Sequence, residues 1–552
     1  MNENQNNGIF EEENSQNSEI PEIKEIETKD TEKKADASSE YEKKQRRKRI
    51  IACVFSLIML YGANLIVFFT IWLNGRYDDV NLDQILYQAK ASAEGTNGDL
   101  MSGALVRVFG LGLLAALLEL FIYFVLSGKF SEKWKKSVRY VKYCTSKVCT
   151  FFKNHHLQMG AGCLAISCFI FLFRFEVFSY IVTSSTESDF IEENYVDPEK
   201  TTLEFPEEKR NLIYIFLESM ENTFADTTAG GKVTDNFIPE LTQLREENIS
   251  FSNNESVYGG ALSYMGTTWT AAALVSQTSG VTVKVPLFQE TYGGKNSYMP
   301  GLVTIGDILE ENGYNQTVLF GSDARFAARD YYFTEHGNYN IVDIVSLKEE
   351  GRLDPDYIKW WGFEDAKLFD YAKEEITKLS ESGEPFNFTM LTADSHFPDG
   401  YLCEDCPETY EGQYPNVLAC SSAKVYEFIN WIKEQPFYEN TTIVLSGDHL
   451  TMDPNFLVDI EEDYTRTVYN CIINSAVTPV KSTNREFGVF DMFPTTLAAM
   501  GVKIEGNRLG LGTNLFSSVE TLTEKYGYEF LDEEMLKESE YYQTKFFKKD
   551  EK

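Results

Sequence analysis

Asn211-Leu-Ile-Tyr-Ile-Phe-Leu217 is an uncharged run of seven residues, six of them apolar, and it stops at Glu218-Ser219. No polar position alternates with the apolar ones, which is the pattern of a strand buried on both faces, as in a parallel sheet. Working outward, similar runs recur at Tyr314–Phe320, Phe386–Leu391 and Thr441–Leu445, and helix-like stretches lie between them at Met299–Asn312, Glu364–Ser380 and Ala419–Gln435. Strands alternating with helices predict an α/β domain, a mainly parallel sheet flanked by helices. Ligands of such sheets collect at the carboxyl ends of the strands, so those ends are where chemistry is sought.

Upstream the composition changes. Ile50–Leu73 is almost uncharged and long enough to cross a bilayer. Two further apolar stretches run over about 103–126 and 160–182, so a three-helix transmembrane region is expected over 50–184. Lys43, Lys44, Arg46, Arg47, Lys48 and Arg49 precede the first span, and residues 129–153 carry a second basic cluster. Positive charge stays cytoplasmic, so three crossings place everything after about residue 184 on the extracellular or periplasmic side of the cell membrane. Residues 1–49, rich in Glu, Asn and Ser before the basic run, are expected as a disordered cytoplasmic tail. The catalytic domain is expected over 205–515 and a C-terminal tail or peripheral helix over 516–552.

The net charge of −35 argues against nucleic acid as a partner, because a polyanion needs a Lys/Arg-rich face. Of the nine Cys, Cys403 and Cys406 stand close together in a polar loop without further ligands at zinc-finger spacing. Outside the cell they would form a local disulfide.

Two strand ends are chemically loaded. Glu218 follows the first run, and Ser446-Gly447-Asp448-His449 ends another. Glu, Asp and His make a mixed oxygen and nitrogen set suited to Mn²⁺, Mg²⁺ or Zn²⁺. A third element, Ser263-Tyr-Met-Gly-Thr267-Thr268-Trp269-Thr270 and the helix-like segment after it, places hydroxyls at a helix start. There the positive end of the helix favours a bound phosphoryl group, although Thr267 or Thr270 could equally be a plain N-cap.

Leu217-Glu218-Ser219, Gly266-Thr267, Ser446-Gly447-Asp448-His449 and Phe490-Asp491-Met492-Phe493-Pro494-Thr495 occur in this order. Together they resemble the sulfatase-like membrane transferases of the alkaline phosphatase superfamily, namely lipoteichoic acid synthases and phosphoglycerol transferases. The resemblance covers roughly residues 205–515. It implies an alkaline-phosphatase-like fold and one divalent metal, Mn²⁺ by preference with Mg²⁺ or Zn²⁺ as alternatives, held by Glu218, Thr267, Asp448 and His449. It implies that Thr267 takes phosphoglycerol from phosphatidylglycerol and passes it to a glycan or polyglycerol phosphate acceptor. His396 matches the family's substrate-contacting histidine and Arg329 its phosphate-binding arginine. Thr267 is preferred over Thr268 and Thr270 because its spacing to Gly280 matches that of the synthases without a gap. Lipoteichoic acid synthases tend to have lysine before the threonine, whereas here Gly266 precedes it and Trp269 and an alanine run follow, so the acceptor stays open.

A phosphoethanolamine transferase, or a phosphatase or sulfatase-type hydrolase, could use the same fold. A phosphatase and a phosphoethanolamine transferase are disfavoured by a histidine count of five, two of which, His155 and His156, are read as lying in the basic loop, and a sulfatase by the lack of a Cys or Ser followed by Pro and Arg at the hydroxyl-rich turn. A non-catalytic membrane sensor would be marked by a lost ligand, and all four are present.

Overall fold

The computed structural model describes residues 22–77, 81–90, 102–126, 145–285, 297–457, 460 and 464–547. Most of the basic loop, up to residue 144, lies outside these residues, as do the first 21 residues of the expected tail. Residues 22–49 continue the first long helix, Glu22–Asn74, rather than forming a separate tail. The chain divides into two compact units, residues 1–66 with 111–168, and residues 67–110 with 169–552.

The described part of the first unit is helical, charged over residues 22–49 and apolar beyond; within its apolar part Asn64 Nδ2 donates to Glu119 Oε2 at 3.1 Å, and Ser56 Oγ donates to the His156 carbonyl at 2.8 Å. Among the described residues, three helical segments are long and apolar enough to cross a membrane, Asp36–Asn74, Ser102–Ile122 and Asn154–Arg174.

The second unit is built on a six-stranded sheet: β1 (Asn211–Leu217), β2 (Asn315–Phe320), β3 (Asn340–Val342), β4 (Phe386–Leu391), β5 (Thr441–Gly447) and β6 (Asn470–Ile473). The order is β3-β2-β4-β1-β5-β6, parallel throughout except for the last strand, which runs antiparallel to β5. All seven residues of β1 are buried, and they alternate between the two cores. Leu212, Tyr214 and Phe216 pack under the helices Thr270–Ser279 and Ile305–Glu311; Ile213, Ile215 and Leu217 pack under Asp365–Glu381 and Gln413–Lys433. A strand sandwiched this way has no face left for a polar residue, which is why its sequence is a continuous apolar run.

Two expectations are corrected here. Residues 516–547 are neither a tail nor peripheral: the helices Tyr528–Leu536 and Glu540–Phe547 bury Leu531, Met535, Tyr542 and Phe546 in the main core. The disulfide joins Cys406 to Cys420, with a Cα–Cα distance of 5.4 Å, not to Cys403. The helix Gln413–Lys433 presents Cys420 to the loop, a proximity that spacing in sequence does not carry. Cys403 keeps its thiol beside the bridge, with the Lys424 ammonium 2.8 Å away.

Candidate active site

The register of the sheet assembles the site. Leu217 of β1 pairs with Gly447 of β5, so Glu218 and Asp448 leave adjacent strands at the same level. Gly447 is required by packing, since a Cβ there would lie 2.0 Å from the Met220 carbonyl oxygen. Ser219 turns the chain with φ +54°, a left-handed conformation that serine adopts only under local constraint. The constraint is visible: its amide donates to Asp448 Oδ1 at 2.7 Å and its hydroxyl donates to Glu218 Oε1 at 2.9 Å.

Glu218, Asp448 and His449 form a buried cluster whose ligand atoms all lie within 4.8 Å of one another. His449 Nδ1 lies 2.7 Å from the Leu450 carbonyl, which holds the proton on Nδ1 and leaves the Nε2 lone pair pointing at Asp448 Oδ2 (3.4 Å) and Glu218 Oε1 (3.6 Å). Asp448 Oδ1 is satisfied by the Ser219 and His449 amides, whereas Oδ2 is buried with no hydrogen-bond partner. Burial, and then the charge of Asp448, push the Glu218 carboxyl well above the usual carboxylate range. Two buried carboxylates facing an imidazole lone pair are repulsive alone and fit a divalent cation, which would satisfy the orphaned Asp448 oxygen.

The threonine at this cluster is Thr270, not Thr267. Thr270 Oγ1 lies 3.4 Å from Glu218 Oε2 and 3.4 Å from His449 Nε2. It is the first residue of the helix Thr270–Ser279, whose N-cap, Trp269, makes no side-chain capping bond. No side chain therefore occupies the helix's leading amides, a ready seat for phosphoryl oxygens. Thr267 is buried three positions earlier in a turn, where its hydroxyl accepts from the Tyr264 amide and donates to the Tyr264 carbonyl, both at 2.9 Å. The turn needs Gly266, which has φ +79° and packs against Val283 too closely for a Cβ.

A cavity of about 370 Å³ opens over Thr270 and Glu218, and His396 and Arg329 both line it. His396 Nδ1 is tied to the Phe397 carbonyl at 2.6 Å, and Trp361 packs on the ring with centroids 4.7 Å apart. Burial holds the imidazole neutral, its pKa lowered to about 3, so Nε2 remains a hydrogen-bond acceptor. Arg329 is buried across the Phe320 ring and fixed by donating to Ser322 Oγ (3.0 Å) and to the Asp323 carbonyl (2.8 Å). His336 is elsewhere, with Nε2 2.8 Å from the Tyr298 carbonyl. Asp491, in the last of the quoted motifs, accepts from the Gly488 and Thr513 amides and shapes a turn.

The sequence reading missed the helix Leu82–Lys90. Gln84 Nε2 donates to the Thr268 carbonyl at 3.1 Å, Asn81 Nδ2 donates to Thr268 Oγ1 at 3.2 Å, and Tyr87 packs on Trp269. The signal was available, because this loop between the first two spans falls on the same side as the catalytic domain under the positive-inside rule.

Fold and site together define an α/β domain whose strand ends present a buried cluster of two carboxylates and an imidazole able to hold a metal ion, with a helix-terminal hydroxyl beside it. The Sulfatase family model matches residues 210–502, more than half of the chain, and the chain belongs to that family. Phosphoglycerol transferase I of Salmonella choleraesuis (strain SC-B67) is 35% identical over 266 residues, 47% of this chain. The match spans only 33% of that relative's own length. Among solved structures, the lipoteichoic acid synthase LtaP from Listeria monocytogenes is similar at 17% identity and a TM-score of 0.43, covering 59% of this chain and 80% of that one. The lipooligosaccharide phosphoethanolamine transferase A (EptA) from Neisseria meningitidis gives 15% identity and a TM-score of 0.44, covering 81% and 83%.

Proposed function

We propose that this chain is a membrane-anchored phosphoglycerol transferase that uses Thr270 as its nucleophile. The observation that carries the reading is the Thr270 hydroxyl, 3.4 Å from both Glu218 and His449 and opening on a cavity that also holds Arg329 and His396. The name of the Salmonella relative supplies the transferred group. Glu218, Asp448 and His449 would hold one divalent ion, Mn²⁺ by preference; when bound, it supplies positive charge that favours ionisation of a nearby hydroxyl and offsets charge developing on phosphorus oxygens.

In the first half-reaction Thr270 Oγ attacks the phosphorus of phosphatidylglycerol. The bond from phosphorus to the diacylglycerol oxygen breaks, and diacylglycerol leaves carrying the proton. In the second, an acceptor hydroxyl of a glycan or a polyglycerol phosphate attacks the phosphothreonine, and Thr270 recovers its proton. Arg329 and the uncapped amides of Thr270–Ser279 bind the phosphoryl oxygens. The neutral His396 Nε2 accepts a hydrogen bond from a substrate hydroxyl and orients it. The domain works outside the membrane, a placement supported by the charge asymmetry around the spans and by a disulfide suited to an oxidising compartment.

The test is to incubate the purified full chain with fluorescent phosphatidylglycerol and Mn²⁺ and follow diacylglycerol release. Chelator-sensitive release is expected. Release from phosphatidylethanolamine alone would move the reading to phosphoethanolamine transfer, and silence on both lipids in a metal-loaded protein would replace it with a hydrolase.

A further inference from the structure

We infer that Arg76, which follows the end of the helix Glu22–Asn74, binds substrate in this site: its guanidinium holds the phosphodiester of a membrane lipid whose glyceride end rests on Phe69, Trp72 and Leu73. The inference rests on the transferase reading and adds to it the seat of the donor.

One wall of the cavity comes from residues 69–89, far upstream of the catalytic domain in sequence. Phe69, Trp72, Leu73 and Ile85 make that wall apolar, while Glu218, Thr270 and Arg329 form the polar end. An amphipathic cavity of this kind fits a molecule with an anionic head and a greasy body. The wall is pinned on two sides. Gln84 and Asn81 hold the Thr268 backbone and hydroxyl, and Tyr77 packs edge-on against Phe397, the neighbour of His396, with centroids 5.1 Å apart.

Arg76 lines the same cavity. An arginine at the end of a span ordinarily turns its head to the water at the bilayer surface. Here the Nε is buried and has no hydrogen-bond partner, while elsewhere the guanidinium is hydrogen-bonded to the neighbouring Tyr77 phenol. The groups that feel its charge are the Tyr77 phenol and the His396 imidazole. Arg76 is half-buried, and a buried N–H such as its Nε is costly without an acceptor unless a ligand supplies one. With Arg329 it makes a pair of cations in one cavity, as a phosphodiester anion requires for contact with both of its free oxygens.

The experiment measures binding on the full chain, loaded with Mn²⁺ and carrying Thr270→Ala to stop turnover. Dihexanoylphosphatidylglycerol is titrated while the fluorescence of the cavity tryptophans, Trp72, Trp269 and Trp361, is followed. Adding Arg76→Ala is expected to weaken binding about tenfold or more, and Arg76→Lys less, as befits a charge-assisted hydrogen bond. Mn²⁺ affinity should not change, which separates loss of a contact from loss of fold. Glycerophosphoglycerol, which lacks the acyl chains, should bind at least about tenfold more weakly than the lipid, and Trp72→Ala should narrow that gap. A dissociation constant for Arg76→Ala within about twofold of the parent would overturn the assignment. Arg76-dependent lipid binding without diacylglycerol release by the native chain would keep this site and sink the transferase. Release with Arg76-independent binding would do the reverse.

Discussion

Thr270 stands three positions beyond Thr267, and the difference decides which hydroxyl reaches Glu218 and His449. Sequence spacing favours the earlier threonine because a motif is aligned by counting. The structure places it in a closed turn, with its hydroxyl already donating and accepting, while the first helical residue faces the acids. Thr270→Ala is expected to lower diacylglycerol release by about a thousandfold or more while Mn²⁺ stays bound. Thr267→Ala should keep turnover and cost about 1–3 kcal/mol of stability, because it strands the buried Tyr264 amide. The two variants compared in one release assay and one thermal melt decide between the assignments, and activity lost only in Thr267→Ala would reverse them. The juxtaposition of Glu218, Asp448 and His449 in one buried cluster was legible from residue type and strand-end position alone. Asp448→Asn should weaken Mn²⁺ by about tenfold or more in a competition titration, since Oδ2 is the oxygen left open for the ion; unaltered affinity would place the ion elsewhere.

At the scale of elements, the four central strands were readable because each is a run buried on both faces. The edge strands β3 and β6 were not, since three or four residues carry too little pattern to separate a strand from a loop. The loop after β4 was legible only for His396. Its shape comes from Asp365, whose carboxylate accepts from the Ala393 and Asp394 amides, a pairing over 28 and 29 residues that no local reading reaches. Asp394 is buried beside it with no hydrogen bond to either carboxyl oxygen, and burial first, then the Asp365 charge, push its pKa up to about 9 against the opposing pull of the Lys424 ammonium, 4.0 Å from Oδ2. Folding therefore takes up a proton between about pH 4 and about pH 9, and stability falls as pH rises through that window. Asp394→Asn, which carries the neutral form permanently, should flatten that fall. Melting temperatures measured at intervals across the window check this, and parallel curves for the two proteins would refute it.

On the scale of the whole molecule, the three apolar runs were legible, and among the described residues three helical segments are long and apolar enough to cross a membrane. The final helices were misread because Leu531, Met535, Tyr542 and Phe546 sit among Glu and Lys, and their burial depends on a core already assembled upstream. The Cys406–Cys420 bridge spans 14 residues, and replacing both Cys406 and Cys403 by Ser, which removes it without leaving Cys420 a neighbouring thiol, should cost about 3 kcal/mol. A melt with and without reductant tests this: the native chain should lose stability on reduction and the variant should not respond. The wall formed by residues 69–89 bears on how this enzyme could be transplanted. Grafting the domain from residue 185 onward to another anchor would preserve its attachment to a bilayer and the cluster of Glu218, Asp448 and His449, yet leave the cavity with one side missing. The anchor is thus a component of the machine rather than its mooring, and the two can be exchanged between proteins only as a set.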